Sequence, residues 1–127
     1  EHWEEIARNK ELMVLDPHEE AYRRLEECGA LFTLGAFVGD EMVGYSATMV
    51  QPHLHYKNLC YAVNDVLFVS KPHRGRGGMR LMDETKRIAK EMGAQLMLWH
   101  AKPDTALAAI LPRRGCVVQD IIYSEPL

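Results

Sequence analysis

At Leu31 the hydrophobic positions change their rhythm. Before it, in "DPHEEAYRRLEECG", apolar side chains recur every three or four residues as Tyr22, Leu25 and Cys28, the narrow stripe of an amphipathic helix. Asp16 is placed to cap that helix, Pro17 suits its first position, Glu19 completes a capping box and Gly29 stops it. Further upstream "HWEEIARNKELM" carries a weaker helical pattern, with Trp3, Ile6, Ala7 and Leu12 on one side. From Leu31 the runs are β-rich instead: "ALFTLGAFV" and "EMVGYSATMV" are joined by Gly39-Asp40, a two-residue link of hairpin type. After the polar and aromatic loop "QPHLHYKN", the run "LCYAVNDVLFV" is apolar on both faces except near Asn64 and Asp65, which predicts a strand in the middle of a sheet.

The helical period then returns. Met82, Thr85, Ala89 and Met92 share one face, Arg80, Asp83, Glu84, Arg87 and Glu91 the other, and Gly93 ends the helix. "AQLMLWH" reads as a short buried strand, Asp104 starts a helix through "TALAAIL" that Pro112 and Gly115 close, and "CVVQDIIYS" supplies one or two last strands. This order of elements predicts an α/β fold with a mixed, mostly antiparallel central sheet and helices on both of its faces. The 127 residues fit a single domain, with no repeat or linker.

Composition narrows the partners. A hydrophobic fraction of 47%, a charged fraction of 26% and a net charge of -3 describe an ordinary globular domain and argue against a general nucleic-acid or anionic-membrane binder. Cys28, Cys60 and Cys116 form no C-x-x-C pair, so we expect buried free thiols in a reducing cytoplasm. No apolar run reaches the roughly 18 residues of a membrane span, and "EHWEEIARNK" is unlike a signal peptide. It also lacks an initiator methionine, so residues are expected upstream. A homodimer is compatible with these features and not required by them.

Any positive site must therefore be local, and "PHRGRGGMRL", residues 72–81, with three glycines and three arginines, supplies one. A glycine turn between a strand and a helix aims backbone N–H groups and the positive end of the helix dipole at one spot, which suits a phosphate. Gly75, Gly77 and Gly78 permit the positive φ values of such a nest, and Arg74 and Arg76 add charge. No Gly-Lys-Ser/Thr ending is present, and the dinucleotide spacing G-x-G-x-x-G is not met. An arginine-first pattern, R-x-x-G-x-G/A, remains. Counting from Arg74 puts Gly77 fourth and Met79 sixth; one residue fewer makes Gly78 the closing glycine and keeps "MRLM" in phase with the helix.

The stretch "VLFVSKPHRGRGGMRLM" resembles the central motif of the GNAT superfamily of N-acetyltransferases, and the order of elements agrees from about Asp16 to Tyr123. The superfamily's usual first strand is not evident: it is expected either upstream of Glu1 or to be lost. "HLHY", "NDVLF" and "WHAKP" further resemble a phage-associated subset. The resemblance implies acetyl-CoA as co-substrate and an amine as acceptor. It implies that the loop from Arg74 to Met79 (Arg74, Gly75, Arg76, Gly77, Gly78, Met79) holds the pyrophosphate, that Leu67 and Val69, with Phe68 between them, line the pantetheine arm, and that Lys102 reaches a cofactor phosphate.

Acyl transfer to an amine needs a group that takes the amine proton and relief for the leaving thiolate. Asp65, on the central strand and by period two on the same side as Leu67 and Val69, is the candidate base. His53, His55 and Tyr56 precede that strand, where the resemblance places acceptor entry, and His55 is a second proton acceptor. The family's tyrosine acid falls at Leu111, so His100, Tyr123 and Tyr56 are the substitutes. Two other readings stay open: a module that holds acetyl-CoA without turnover, and a metal enzyme using His53-x-His55 with His100 and Asp65. We expect no metal.

Overall fold

A computed structural model describes residues 1–6, 11–12 and 15–127. Its elements in chain order are α1 (His2–Ile6), α2 (Glu19–Glu27), β1 (Leu31–Val38), β2 (Glu41–Pro52), β3 (Cys60–Val69), a 3-10 turn (Lys71–His73), α3 (Arg76–Glu91), β4 (Leu96–Trp99) and α4 (Ala106–Arg113). The strands form one sheet in the order β1-β2-β3-β4, antiparallel except for the parallel pair β3 and β4. As expected, Val38 pairs with Glu41 across Gly39-Asp40, closing a two-residue hairpin.

The two faces of the sheet carry different helices. Ser46, Thr48 and Val50 of β2 face α3, whose Leu81, Met82, Thr85 and Ala89 are buried at helical spacing. Val50, Ala62 and Ala89 pack as one cluster, and the Thr85 hydroxyl lies 3.1 Å from the Ser46 hydroxyl. Tyr45 and Met49, pointing the other way by the period of two, meet α1 and the α2 side. Gly44 lies where β2 passes so close to β3 that a Cβ would sit 2.7 Å from the Phe68 carbonyl oxygen.

Several expectations need correction. The cap of α2 is His18, whose ring nitrogen accepts from the Ala21 N–H at 3.1 Å, so the helix starts at Glu19 and not at the expected Pro17. None of its residues is buried: Tyr22, Leu25 and Cys28 stay exposed because the helix stands off the sheet. Of the three free thiols, Cys60 and Cys116 are half-buried. The first helix is formed over His2–Ile6; Leu12 is exposed, and residues 7–10 and 13–14, Ala7 among them, lie outside the described residues. The last helix is capped by Thr105, one residue after Asp104, which takes a φ of 63°. No strand forms in "CVVQDIIYS": Val117, Val118, Ile121, Ile122 and Tyr123 are exposed, since β propensity alone makes no strand where the backbone does not pair.

Candidate active site at the splayed sheet

Strands β3 and β4 pair only from Tyr61 with Leu96 to Asn64 with Trp99. Beyond that point β3 continues alone to Val69, so the sheet opens into a wedge. Asp65 and His100 are the first residues past the last pair, one on each limb, and both are exposed.

A bulge sits at the same point. The register with β2 runs Thr48 to Asn64 and then Ala47 to Val66, which leaves Asp65 as the extra residue. The bulge resets the alternation of faces. Leu67 and Val69 pair with Ser46 and Gly44 on the α3 face, whereas Asp65 joins Leu31 and Met49 beside α2. The expectation that Asp65 shares a side with Leu67 and Val69 is therefore corrected. Asn64, fully buried beneath the bulge, holds it through an amide nitrogen within 3.0–3.2 Å of the Ser46 and Thr48 hydroxyls and the Ala47 and Val66 carbonyls. Sequence reading noted Asn64 only as a polar break in an apolar strand.

The open edge of β3 is partly taken. The Ser70 N–H donates to the Val43 carbonyl, so by alternation Leu67 and Val69 direct their backbone groups away from β2, into the wedge. The Val69 carbonyl already accepts from Arg74 Nε at 2.7 Å. Arg74 Nη2 also reaches the Glu5 carboxylate at 2.8 Å, which holds the Glu5 carboxyl below the usual range. Expected at a phosphate, Arg74 is bound to the protein on two sides.

The glycine loop is shorter than its composition suggests. Only Gly75 has a positive φ, 84°; it is the N-cap of α3, and its carbonyl accepts from the Met79 N–H at 2.9 Å. Gly77 and Gly78 lie in the first helical turn, so the positive φ values expected of them are not needed. The N–H groups of Arg76, Gly77 and Gly78 meet no acceptor among the described residues, and the Arg76 side chain is exposed and without a partner among them. They form a convergent set of donors at the positive end of a 16-residue helix. Arg114, at the end of α4, pairs with Asp83 and touches the Met79 sulfur, tying α4 to this turn.

The other expected residues are scattered. His53, His55 and Tyr56 lie beyond Cys60, at the end of β3 remote from the loop and about 16 Å along the strand from Asp65. The His53 ring packs between Tyr56 and Tyr61 at 4.7 and 5.0 Å, and its Nδ1 accepts from the His55 N–H. Tyr123 is 88% exposed and is not brought to the wedge. Lys102 follows His100 on the β4 limb and acts electrostatically on His2. Among the described residues no three His, Cys, Asp or Glu side chains cluster as metal ligands, and no helix is long and apolar enough to cross a membrane.

His2 was not expected here. Its ring stacks on Phe68 at 4.8 Å, its Nδ1 lies 2.7 Å from the Tyr45 hydroxyl, and its Nε2 is buried without a partner. Burial pushes its pKa below the ordinary 6.5, and the positive Lys102 adds to the effect. The docked ring is neutral, so its contribution is complete above 6.5 and is lost as pH falls through the lowered value. Amide exchange in α1 is expected to quicken as pH falls below 6.5 relative to a His2→Leu variant, once the intrinsic pH dependence of exchange is removed. Equal profiles would mean that the ring does not hold α1.

A mixed sheet whose β3–β4 pairing ends beside a helix with a free N-terminal turn makes an α/β domain with a set of donors that suits an anion. The model of the acetyltransferase (GNAT) family matches residues 2–115, and the chain belongs to that family; by class it is an N-acetyltransferase. Solved structures agree on the fold. An aminoglycoside acetyltransferase from an uncultured soil metagenomic sample is 21% identical, with a TM-score of 0.74 over 93% of this chain and 80% of that one. The ribosomal-protein-alanine N-acetyltransferase of Brucella melitensis biovar Abortus 2308 is 21% identical, with a TM-score of 0.64 over 89% and 82%. A transcriptional regulator from Bacillus halodurans C-125 is 20% identical, with a TM-score of 0.72 over 86% and 74%. No curated protein matches the sequence significantly.

Proposed function

We propose that the chain moves the acetyl group of acetyl-CoA to a primary amine. The observation that carries this reading is the coincidence of two vacant sets of backbone groups: the N–H groups of Arg76, Gly77 and Gly78, and the Leu67 edge of β3 past the last pair with β4. The first set suits a pyrophosphate and the second suits an amide-bearing arm that adds as a strand. Phe68 and Met79 flank these groups, and Arg74 shapes them by fixing the Val69 carbonyl. The free cation of Arg76 and the Lys102 ammonium add positive charge around the cradle.

Acetyl-CoA supplies a thioester whose carbon–sulfur bond breaks as the carbon–nitrogen bond forms, with the electron pair leaving on sulfur. Asp65 accepts the amine proton, directly or through one water, and holds the amine at the base of the wedge. His100, level with it on the other limb, returns a proton to the sulfur. His53, His55 and Tyr56 lie too far along β3 to share these steps and are assigned to the rim of acceptor entry.

The test is thermal. Acetyl-CoA at a hundred times its dissociation constant stabilises by about 2.7 kcal/mol, and raises the midpoint of a domain this size by roughly 10 °C. CoA is expected to act similarly and ATP much less. No shift with either CoA species overturns the reading. One observation favours a second reading, a module that binds without turnover: Leu111 stands in α4 where the family often carries a tyrosine. Thiol release with a panel of amines separates the two, because a module gives none.

A further inference from the structure

The α2 face holds a pocket of about 160 Å³ that nothing above has used. His18, Tyr22 and Leu25 wall it from the helix, Leu31 and Met49 from the sheet, and Asp65 closes one side. It exists because α2 stands off the sheet, with Tyr22 and Leu25 each left 37% exposed where a packed helix would have buried them. We infer that this pocket selects the acceptor, a small primary amine carrying an apolar body of about the size of a benzene ring; the inference rests on the acetyl-transfer reading above.

Three observations support it. The lining is almost wholly apolar, and the pocket, open to solvent on one side, has about the volume that a benzene-sized apolar body fills. A sugar-sized polyol would lose its water there without regaining hydrogen bonds. The charge also fits a cation: Asp65 is the one carboxylate among the lining residues, and α2 carries four glutamates against two arginines. Most directly, Asp65 belongs to both places. As the bulge residue it turns toward the α2 face, and as the first residue past the Asn64–Trp99 pair it stands at the base of the wedge. An amine whose apolar body fills the pocket would bring its nitrogen to the carboxylate that borders the wedge. The bulge thus brings one carboxylate to the α2 pocket at the point where the β3–β4 pairing ends.

Binding of 2-phenylethylamine to the chain, followed by NMR shifts without any CoA species, tests this directly, with ethanolamine as the hydrophilic control. We expect saturable shifts at Leu31, Met49 and Asp65 for 2-phenylethylamine alone. Leu25→Trp, which fills the pocket from a half-exposed position, should weaken that binding and raise the KM for 2-phenylethylamine roughly tenfold or more. Stabilisation by acetyl-CoA should stay intact in that variant. Ala21→Leu narrows the same pocket from the helix and serves if the tryptophan variant does not fold. Equal binding of the two amines, or an unchanged KM in a folded filling variant, overturns the inference while leaving acetyl transfer standing. Absence of any CoA-induced stabilisation overturns the parent reading instead, and the amine titration is then read by itself.

Discussion

Asn64→Leu is expected to cost about 3–5 kcal/mol of stability and to lower the thermal midpoint by roughly 10–20 °C, although leucine has the same branched shape as asparagine. The expected cost comes from groups left unpaired. The bulge at Asp65 pulls β3 out of register with β2, and the Asn64 amide serves the Ala47 and Val66 carbonyls at that point. Its two hydrogens are divided among the Ser46 and Thr48 hydroxyls and these two carbonyls, while its Oδ1 is buried without a partner. Thr85 extends the same network to α3 by donating to the Leu81 carbonyl at 2.7 Å. All four polar side chains are essentially inaccessible, so water cannot replace a lost partner. Urea unfolding checks this: the midpoint should fall with an unchanged slope. A loss below about 1 kcal/mol would mean the bulge is held by its flanking strands alone.

The Asn64 network also marks where the sequence stops being readable. The hairpin at Gly39-Asp40, the buried face of α3 and the stops at Gly29, Gly93 and Gly115 follow from local chemistry, and each of these glycines takes the left-handed backbone its turn requires. A bulge leaves no such trace in a strand that is apolar on both faces. Alternation by two assigned Asp65 to the side of Leu67, and one inserted residue reversed it. Long-range pairing was equally hidden. Nothing in the sequence around Arg74 announces its contact with Glu5, 69 residues away. The α2 pocket depends on how far a helix stands from a sheet, which its stripe of Tyr22 and Leu25 cannot encode. The unpaired apolar residues after Cys116 show the converse, a clear local preference with no strand partner to satisfy it.

Gly75→Val is expected to remove stabilisation by acetyl-CoA altogether, a loss of about 2.7 kcal/mol at saturating ligand, while costing the free protein about 1–3 kcal/mol. At φ 84° and ψ -108° the Gly75 backbone occupies the mirror image of the β region, closed to a β-branched residue. A Cβ there would meet no atom within 4 Å, so the effect is one of backbone conformation and not of crowding. Gly75 is the hinge on which the chain turns from the 3-10 segment into α3, and its carbonyl anchors the first helical bond to Met79. Forcing φ negative swings the N–H groups of Arg76, Gly77 and Gly78 off their common direction, and a convergent cradle loses most of its field when its donors diverge. The control is Gly29→Val. Gly29 has a φ of 75° at the end of α2, again with nothing within 4 Å, so a side chain is strained there too but away from the cradle. Calorimetric titration with acetyl-CoA should find binding intact in Gly29→Val and absent in Gly75→Val. Binding retained by a folded Gly75→Val protein would show that the side chains around the turn, Arg76 foremost, hold the phosphates without the backbone.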